Sequence, residues 1–146
     1  MNSYTKGASF LEIYQTEIAP QLQSLDIILK SMDEPLTYTE ASEALYISET
    51  EIKDIMRRLK INVIDQHSFL KIMSEASSPI CRLYQRELDR GSPYVYTRED
   101  ISYIYSIPID IVIQACEDLG LVKLTAYTLP DLFSHVNMQP AGFNRS

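Results

Sequence analysis

The chain has no tryptophan, only two histidines, two cysteines and four glycines in 146 residues. Each scarcity excludes something. Four glycines leave little room for a loop that cradles phosphates. His67 and His135 stand apart, without Cys-x-x-Cys or His-x-x-x-His spacing, so no metal site is expected. Cys81 and Cys116 sit among apolar neighbours on predicted helices and read as small buried hydrophobes. A disulfide would need an oxidising compartment that no other feature suggests. No Ser/His/Asp or Cys/His constellation occurs, and acidic pairs such as Asp33-Glu34 and Glu117-Asp118 fall at helix ends or on exposed faces. Neither catalytic residues nor a cofactor are therefore expected. No apolar run is long enough to cross a bilayer and the start of the chain lacks a signal-peptide pattern, which points away from membranes and toward the cytoplasm.

Cations are scarce too. Thirteen Lys and Arg face 20 Asp and Glu, a net charge of −7. Affinity for nucleic acid begins with phosphate neutralisation, so such a chain needs a local basic patch to bind DNA. The deficit is spread: segments 1–35, 36–78 and 79–146 carry −3, −2 and −2, and no basic tail offsets it.

Apolar residues make up 45% of the chain and charged residues 23%, as in an ordinary foldable sequence. Their order shows an internal repeat. Shifting the sequence by 60 residues aligns 36–61 with 96–121 without a gap. Thr37/Thr97, Ser42/Ser102, Ile47/Ile107 and Leu59/Leu119 are identical. Apolar class is kept at Ala41/Ile101, Ala44/Ile104, Leu45/Tyr105, Ile52/Val112, Ile55/Ala115, Met56/Cys116 and Ile61/Leu121.

Each copy reads as a short helix, a turn and a second helix. In the first copy Ala41, Ala44 and Leu45 line one face of helix 39–46. Ser48 opens the next helix and, with Glu51 three residues on, forms a capping-box pattern. Ile52, Ile55, Met56 and Leu59 make its buried face. In the second copy Pro108 starts the equivalent helix and Gly120 closes it. Brief β-prone pieces follow at 61–64 and 121–124, each leading through a polar turn to a further helix, 69–76 capped by Ser68 and 130–136 begun by Pro130. A longer helix precedes each copy. The first carries Leu22, Leu25, Ile28, Leu29 and Met32, with Pro20 in its first turn. The second carries Ile80, Leu83, Tyr84 and Leu88 and stops at Gly91-Ser92-Pro93. One more amphipathic helix over 10–18 falls outside the repeat, and packing across the copies or a dimer contact are both open for it.

The stretch 40–52, Glu-Ala-Ser-Glu-Ala-Leu-Tyr-Ile-Ser-Glu-Thr-Glu-Ile, resembles the helix-turn-helix signature of bacterial DNA-binding proteins. Ala41, Leu45, Ile47 and Ser48 match its small, Leu, aliphatic and Ser positions. The segments after each second helix resemble the winged variants in excisionase-like and mercury-resistance-regulator-like domains. The resemblance implies a mainly α fold, a tandem winged-helix-like helix-turn-helix repeat with very short β-hairpins. It covers about 26 residues of the first copy and supports fold more than function, since one fold serves many roles. Two departures matter. Tyr46 stands where the family usually has Gly, and the wings are nearly bare of cations: none lies between Ile61 and Leu70, and only Lys123 appears in the second.

In such a domain the second helix enters the major groove. The outer face of the first copy's second helix carries Thr50, Lys53, Asp54, Arg57 and Arg58, with Lys60 at its edge, a phosphate-facing pattern that reads equally as a solvated face. The second copy offers Asp110, Ile111, Ile113, Gln114, Glu117 and Asp118, with no cation. An apolar patch rimmed by carboxylates suits a protein contact, and Tyr103 and Tyr105 extend it with half-wet aromatic surface. Arg82, Arg86 and Arg90 recur every four residues before the second copy and could hold a DNA backbone or pair with Glu87 and Asp89. Two functions follow as expectations. One is a regulator that binds double-stranded DNA through the first copy, as a homodimer. The other is an interaction module that binds a protein partner, or itself, through the second copy.

Overall fold

Thr37 and Thr97 each accept a hydrogen bond from the backbone three residues on, and each backbone N–H is bonded in return by that residue's carboxylate, Glu40 or Asp100. This reciprocal cap starts a helix at the same place in both copies. The computed structural model of the chain describes residues 9–90 and 94–143, and among these it is mainly helical. Residues 1–8 and 144–146 lie outside the described residues, as does the expected helix stop Gly91-Ser92-Pro93. The elements are α1 (Phe10–Ile13), a π-helical turn (Tyr14–Ile18), α2 (Ala19–Ser31), α3 (Tyr38–Leu45), α4 (Glu49–Leu59), α5 (Gln66–Glu75), α6 (Pro79–Asp89), α7 (Arg98–Tyr105), α8 (Ile109–Leu119) and α9 (Leu129–Phe133).

The construction of α3–α4 recurs in α7–α8 at a spacing of 60 residues. Each first helix ends on a left-handed residue, Tyr46 (φ 58°) or Ser106 (φ 56°), and each second helix ends on Lys60 or Gly120 in the same conformation. Ser42 and Ser102 hold the turns. Their hydroxyls donate to the carbonyls of Ile47 and Ile107 at 2.5 and 2.6 Å, and their own carbonyls accept from the N–H groups of those isoleucines. The identical residues of the repeat are thus mostly those that build caps and turns.

The expected hairpins are not formed among the described residues. The pieces at 61–64 and 121–124 make only isolated antiparallel bridges, Leu36 with Ile64 and Tyr96 with Leu124, each joining the residue before a first helix's N-cap to the piece after the second helix. The chain turns straight into the next helix instead of folding back. In the first copy Asp65, not Ser68, is the N-cap. Its carboxylate accepts from the Ser68 N–H, and the Ser68 hydroxyl is bonded by the Asp65 N–H. Thr125 and Thr128 repeat the second of these bonds at 2.8 Å. α9 then starts at Leu129, with Pro130 one residue in, and ends at Phe133, short of the expected 136.

The chain divides into two compact units, Pro20–Gln85 and Met1–Ala19 with Arg86–Ser146. The N-terminal segment 1–35 therefore contributes to both. In the Pro20–Gln85 unit, Leu25, Leu45, Ile52, Ile55, Phe69 and Ile72 are buried together with Ile80 and Cys81 of α6. Ser78 is buried there and donates to the Leu45 carbonyl at 2.6 Å, satisfying one of the free carbonyls at the end of α3. The other unit closes on aromatic rings. Phe10 and Tyr14, from the N-terminal helical segment, pack against Tyr105 and Phe133, with centroid distances of 4.7 to 6.5 Å. The N-terminal helix thus supplies the second copy with a buried wall, as the start of α6 does for the first. Burying one such ring is worth about 1.5–3 kcal/mol, and each offset or edge pair adds about 0.5–1.5 kcal/mol.

Candidate nucleic-acid interface

α4 is fixed at both ends. The Ser48 hydroxyl accepts from the Glu51 N–H at 3.0 Å, but Glu51 does not return the bond. Its carboxylate accepts instead from the N–H and the hydroxyl of Ser77, both at 2.9 Å, pinning the first turn of α4 to the start of α6. At the other end Lys60 takes the left-handed conformation, and the Ile61 N–H reaches the Met56 carbonyl at 2.8 Å. Ile52, Ile55 and Met56 are buried, whereas Leu59, expected with them, is 39% exposed.

The remaining face is polar. Thr50, Lys53, Arg57, Arg58 and Lys60 are all exposed. Four of the seven Lys and Arg of the Pro20–Gln85 unit fall within residues 53–60. Lys53 Nζ lies 5.1 Å from the ring centroid of Tyr38, which orients its ammonium over an aromatic face. Arg57 pairs with Asp54. Arg58 reaches the same carboxylate at 3.3 Å and Glu75 at 3.5 Å. All these side chains are 43–73% exposed, and such pairs are worth about 0–1 kcal/mol each. They steer the guanidinium groups without locking them.

Arg82, Arg86 and Arg90 stand in three different environments. Arg82 is exposed and donates to the Ser74 carbonyl at 3.4 Å. Arg86 belongs to the other unit, where its Nε donates to the Ile104 carbonyl at 2.8 Å near the end of α7. Arg90 Cζ sits over the Tyr96 ring, 3.9 Å from its centroid, and the guanidinium pairs with Glu87 at 3.4 Å, leaving the side chain only 16% exposed. Two of the three arginines are engaged in holding their own unit together.

No family model, curated protein or solved structure matches the chain.

On the second copy, α8 presents Asp110, Gln114, Glu117 and Asp118 to solvent, with Gln114 donating to Asp118 at 2.8 Å. Ile111 and Ile113 are half-buried, and Tyr103 is 57% exposed. Tyr105 is not a surface residue. It is 3% exposed, packs on Phe10 and Phe133, and its hydroxyl donates to Glu87 at 3.4 Å. Burial, reinforced by the Glu87 carboxylate, holds its phenol well above the usual tyrosine range, and burial likewise raises Tyr14 and Tyr96. Burial also pushes the Cys81 thiol up to about 11, where it is an inert core group. Among the described residues no group of three or more His, Cys, Asp or Glu could hold a metal ion, and no helix is long and apolar enough to cross a membrane.

Sequence reasoning missed Tyr38, whose ring carries Lys53, and Glu75, which draws on Arg58. The Thr37–Glu40 and Thr97–Asp100 caps were open to view as Thr-x-x-acid patterns. Tyr38 and Glu75 have no local signature, being 15 and 17 residues from the cations they touch.

Proposed function

We infer that the chain is a transcription-related DNA-binding regulator whose helix-turn-helix of α3 and α4 reads double-stranded DNA, with α4 as the recognition helix. The observation that carries this reading is the run of exposed cations, Lys53, Arg57, Arg58 and Lys60, on a helix capped at both ends. Set in a major groove, Arg57, Arg58 and Lys60 would face phosphates, while Thr50 and Lys53 near the N-terminal half would reach base edges. The exposed ion pairs to Asp54 and Glu75 are weak enough for phosphate oxygens to replace them. The twofold repeat of caps, turns and bridges supports a tandem helix-turn-helix architecture without wings. One helix with four cations supplies modest affinity, so a homodimer that assembles on the duplex over two half-sites, in the cytoplasm, is part of the proposal.

Fluorescence anisotropy with duplex DNA at low salt tests it. Three phosphate contacts would give log K a slope of about −3 against log salt for each copy bound. The Arg57→Ala/Arg58→Ala variant should bind at least about tenfold more weakly, because each lost phosphate contact removes counterion release. Binding unchanged in that variant would remove α4 from the interface.

The acidic and partly apolar face of α8 favours a second reading for the other unit, that of a protein-contact surface.

A further inference from the structure

α4 and α8 are both 11 residues long, begin 60 residues apart and end on a left-handed residue. Their outer faces are therefore comparable position by position. Thr50 corresponds to Asp110, Lys53 to Ile113, Arg57 to Glu117 and Arg58 to Asp118. Where one helix has two guanidinium groups, the other has two carboxylates. α8 itself contains no Lys or Arg, the nearest in sequence being Lys123, four residues beyond its end. The α8 face also keeps apolar surface, since Ile109 is 39% exposed and Ile111 and Ile113 are half-buried.

We propose that the α8 face is a docking site for a second copy of this chain, which lays its α4 across it. Arg57 and Arg58 of one copy then meet Glu117 and Asp118 of the other, and Lys53 meets Asp110. The contact is heterologous, joining two different surfaces of the same protein. Asp54 and Glu75, the partners of the arginines within the free chain, sit in exposed pairs that yield readily to better ones. The inference rests on the charge pattern and stands apart from the DNA reading. It uses the same cations, however, so a second copy and DNA compete for α4.

Sedimentation or light scattering of the full chain over a concentration series tests the contact without DNA. An ionic strength of about 0.1 M is suitable: its Debye length of about 10 Å screens the general repulsion between two acidic molecules and leaves close pairs intact. The expected result is a mass above the monomer that falls on dilution. Arg57→Glu/Arg58→Glu and Glu117→Arg/Asp118→Arg should each be monomeric, because each sets like charges face to face. Mixed in equal amounts they should regain the higher mass, since each then offers what the other lacks. The neutral pair Glu117→Gln/Asp118→Gln, the milder change should charge reversal unfold the chain, should weaken association about tenfold. A wild-type monomer at all concentrations overturns the proposal, as does a mixture of folded charge-reversed variants that stays monomeric. So does a monomer whose Glu117 and Asp118 bind a foreign cationic helix but not α4.

Discussion

Replacing Phe10 with Ala removes a fully buried ring that lies 4.7 Å from Phe133 and 6.5 Å from Tyr105, centroid to centroid. A phenylalanine lost from a core of this kind costs about 3–5 kcal/mol, combining lost transfer free energy with the cavity left behind. That is a large part of what a domain of this size has to spare. The loss should be confined. Phe10 belongs to the unit made with Arg86–Ser146, so amides of α7, α8 and α9 should lose protection from hydrogen exchange while those of α3 and α4 keep theirs. Phe69→Ala, which empties an equally buried site in the Pro20–Gln85 unit, should do the reverse. Peptide-resolved exchange measured by mass spectrometry on both variants reads the two patterns directly. If Phe10→Ala loosened α3 and α4 as much as α7 and α8, the assignment of the N-terminal helix to the second copy would be refuted.

Three further substitutions address strain and ionisation. Lys60→Gly should raise stability by about 1 kcal/mol, because a left-handed non-glycine residue costs roughly 1–2 kcal/mol while glycine bears its own entropic penalty. Gly120→Ala should cost a similar amount, since open space surrounds the added methyl and only the backbone conformation opposes it. Thermal melts check both, and the Lys60 variant should also bind DNA more weakly. The Tyr105 phenol is held above its unfolded value, so the folded state keeps a proton that the unfolded chain gives up. Its contribution is fully present below about pH 10 and falls as pH rises beyond that, by up to about 1.4 kcal/mol per pH unit. Tyr105→Phe should flatten that alkaline loss in denaturant titrations. An equally steep decline in the variant would show that another group governs it.

The local construction of the chain was readable from its sequence because caps, turns and helical stripes depend on residues three to five apart. Ser48 was identifiable as a cap, and the buried side of α4 followed from the spacing of Ile52, Ile55 and Met56. What escaped lies at long range. Glu51 completes no box because Ser77, 26 residues on, presents two better-placed donors. Tyr105 read as surface because tyrosines crowd that region, although its alignment with Leu45 already placed it on the core face. The β-prone pieces could not announce that their partner would be the segment before the first helix. Nor could residues 86 and 90 reveal that their charges serve a carbonyl and a tyrosine ring instead of solvent. At the interface the cations themselves were legible, while Glu75 and the Tyr38 ring that modulate them were not.

The closing of the second copy by the N-terminal helix has a consequence for the order of synthesis. Phe10 and Ile13 leave the ribosome before the Pro20–Gln85 unit, yet the rings and helices that bury them, Phe133 among them, follow that unit. The Pro20–Gln85 unit has all its parts as soon as α6 emerges and can fold at once. Until α9 follows, the growing chain carries a finished domain preceded by an unburied apolar helix, the form in which it is most open to chaperones and to aggregation.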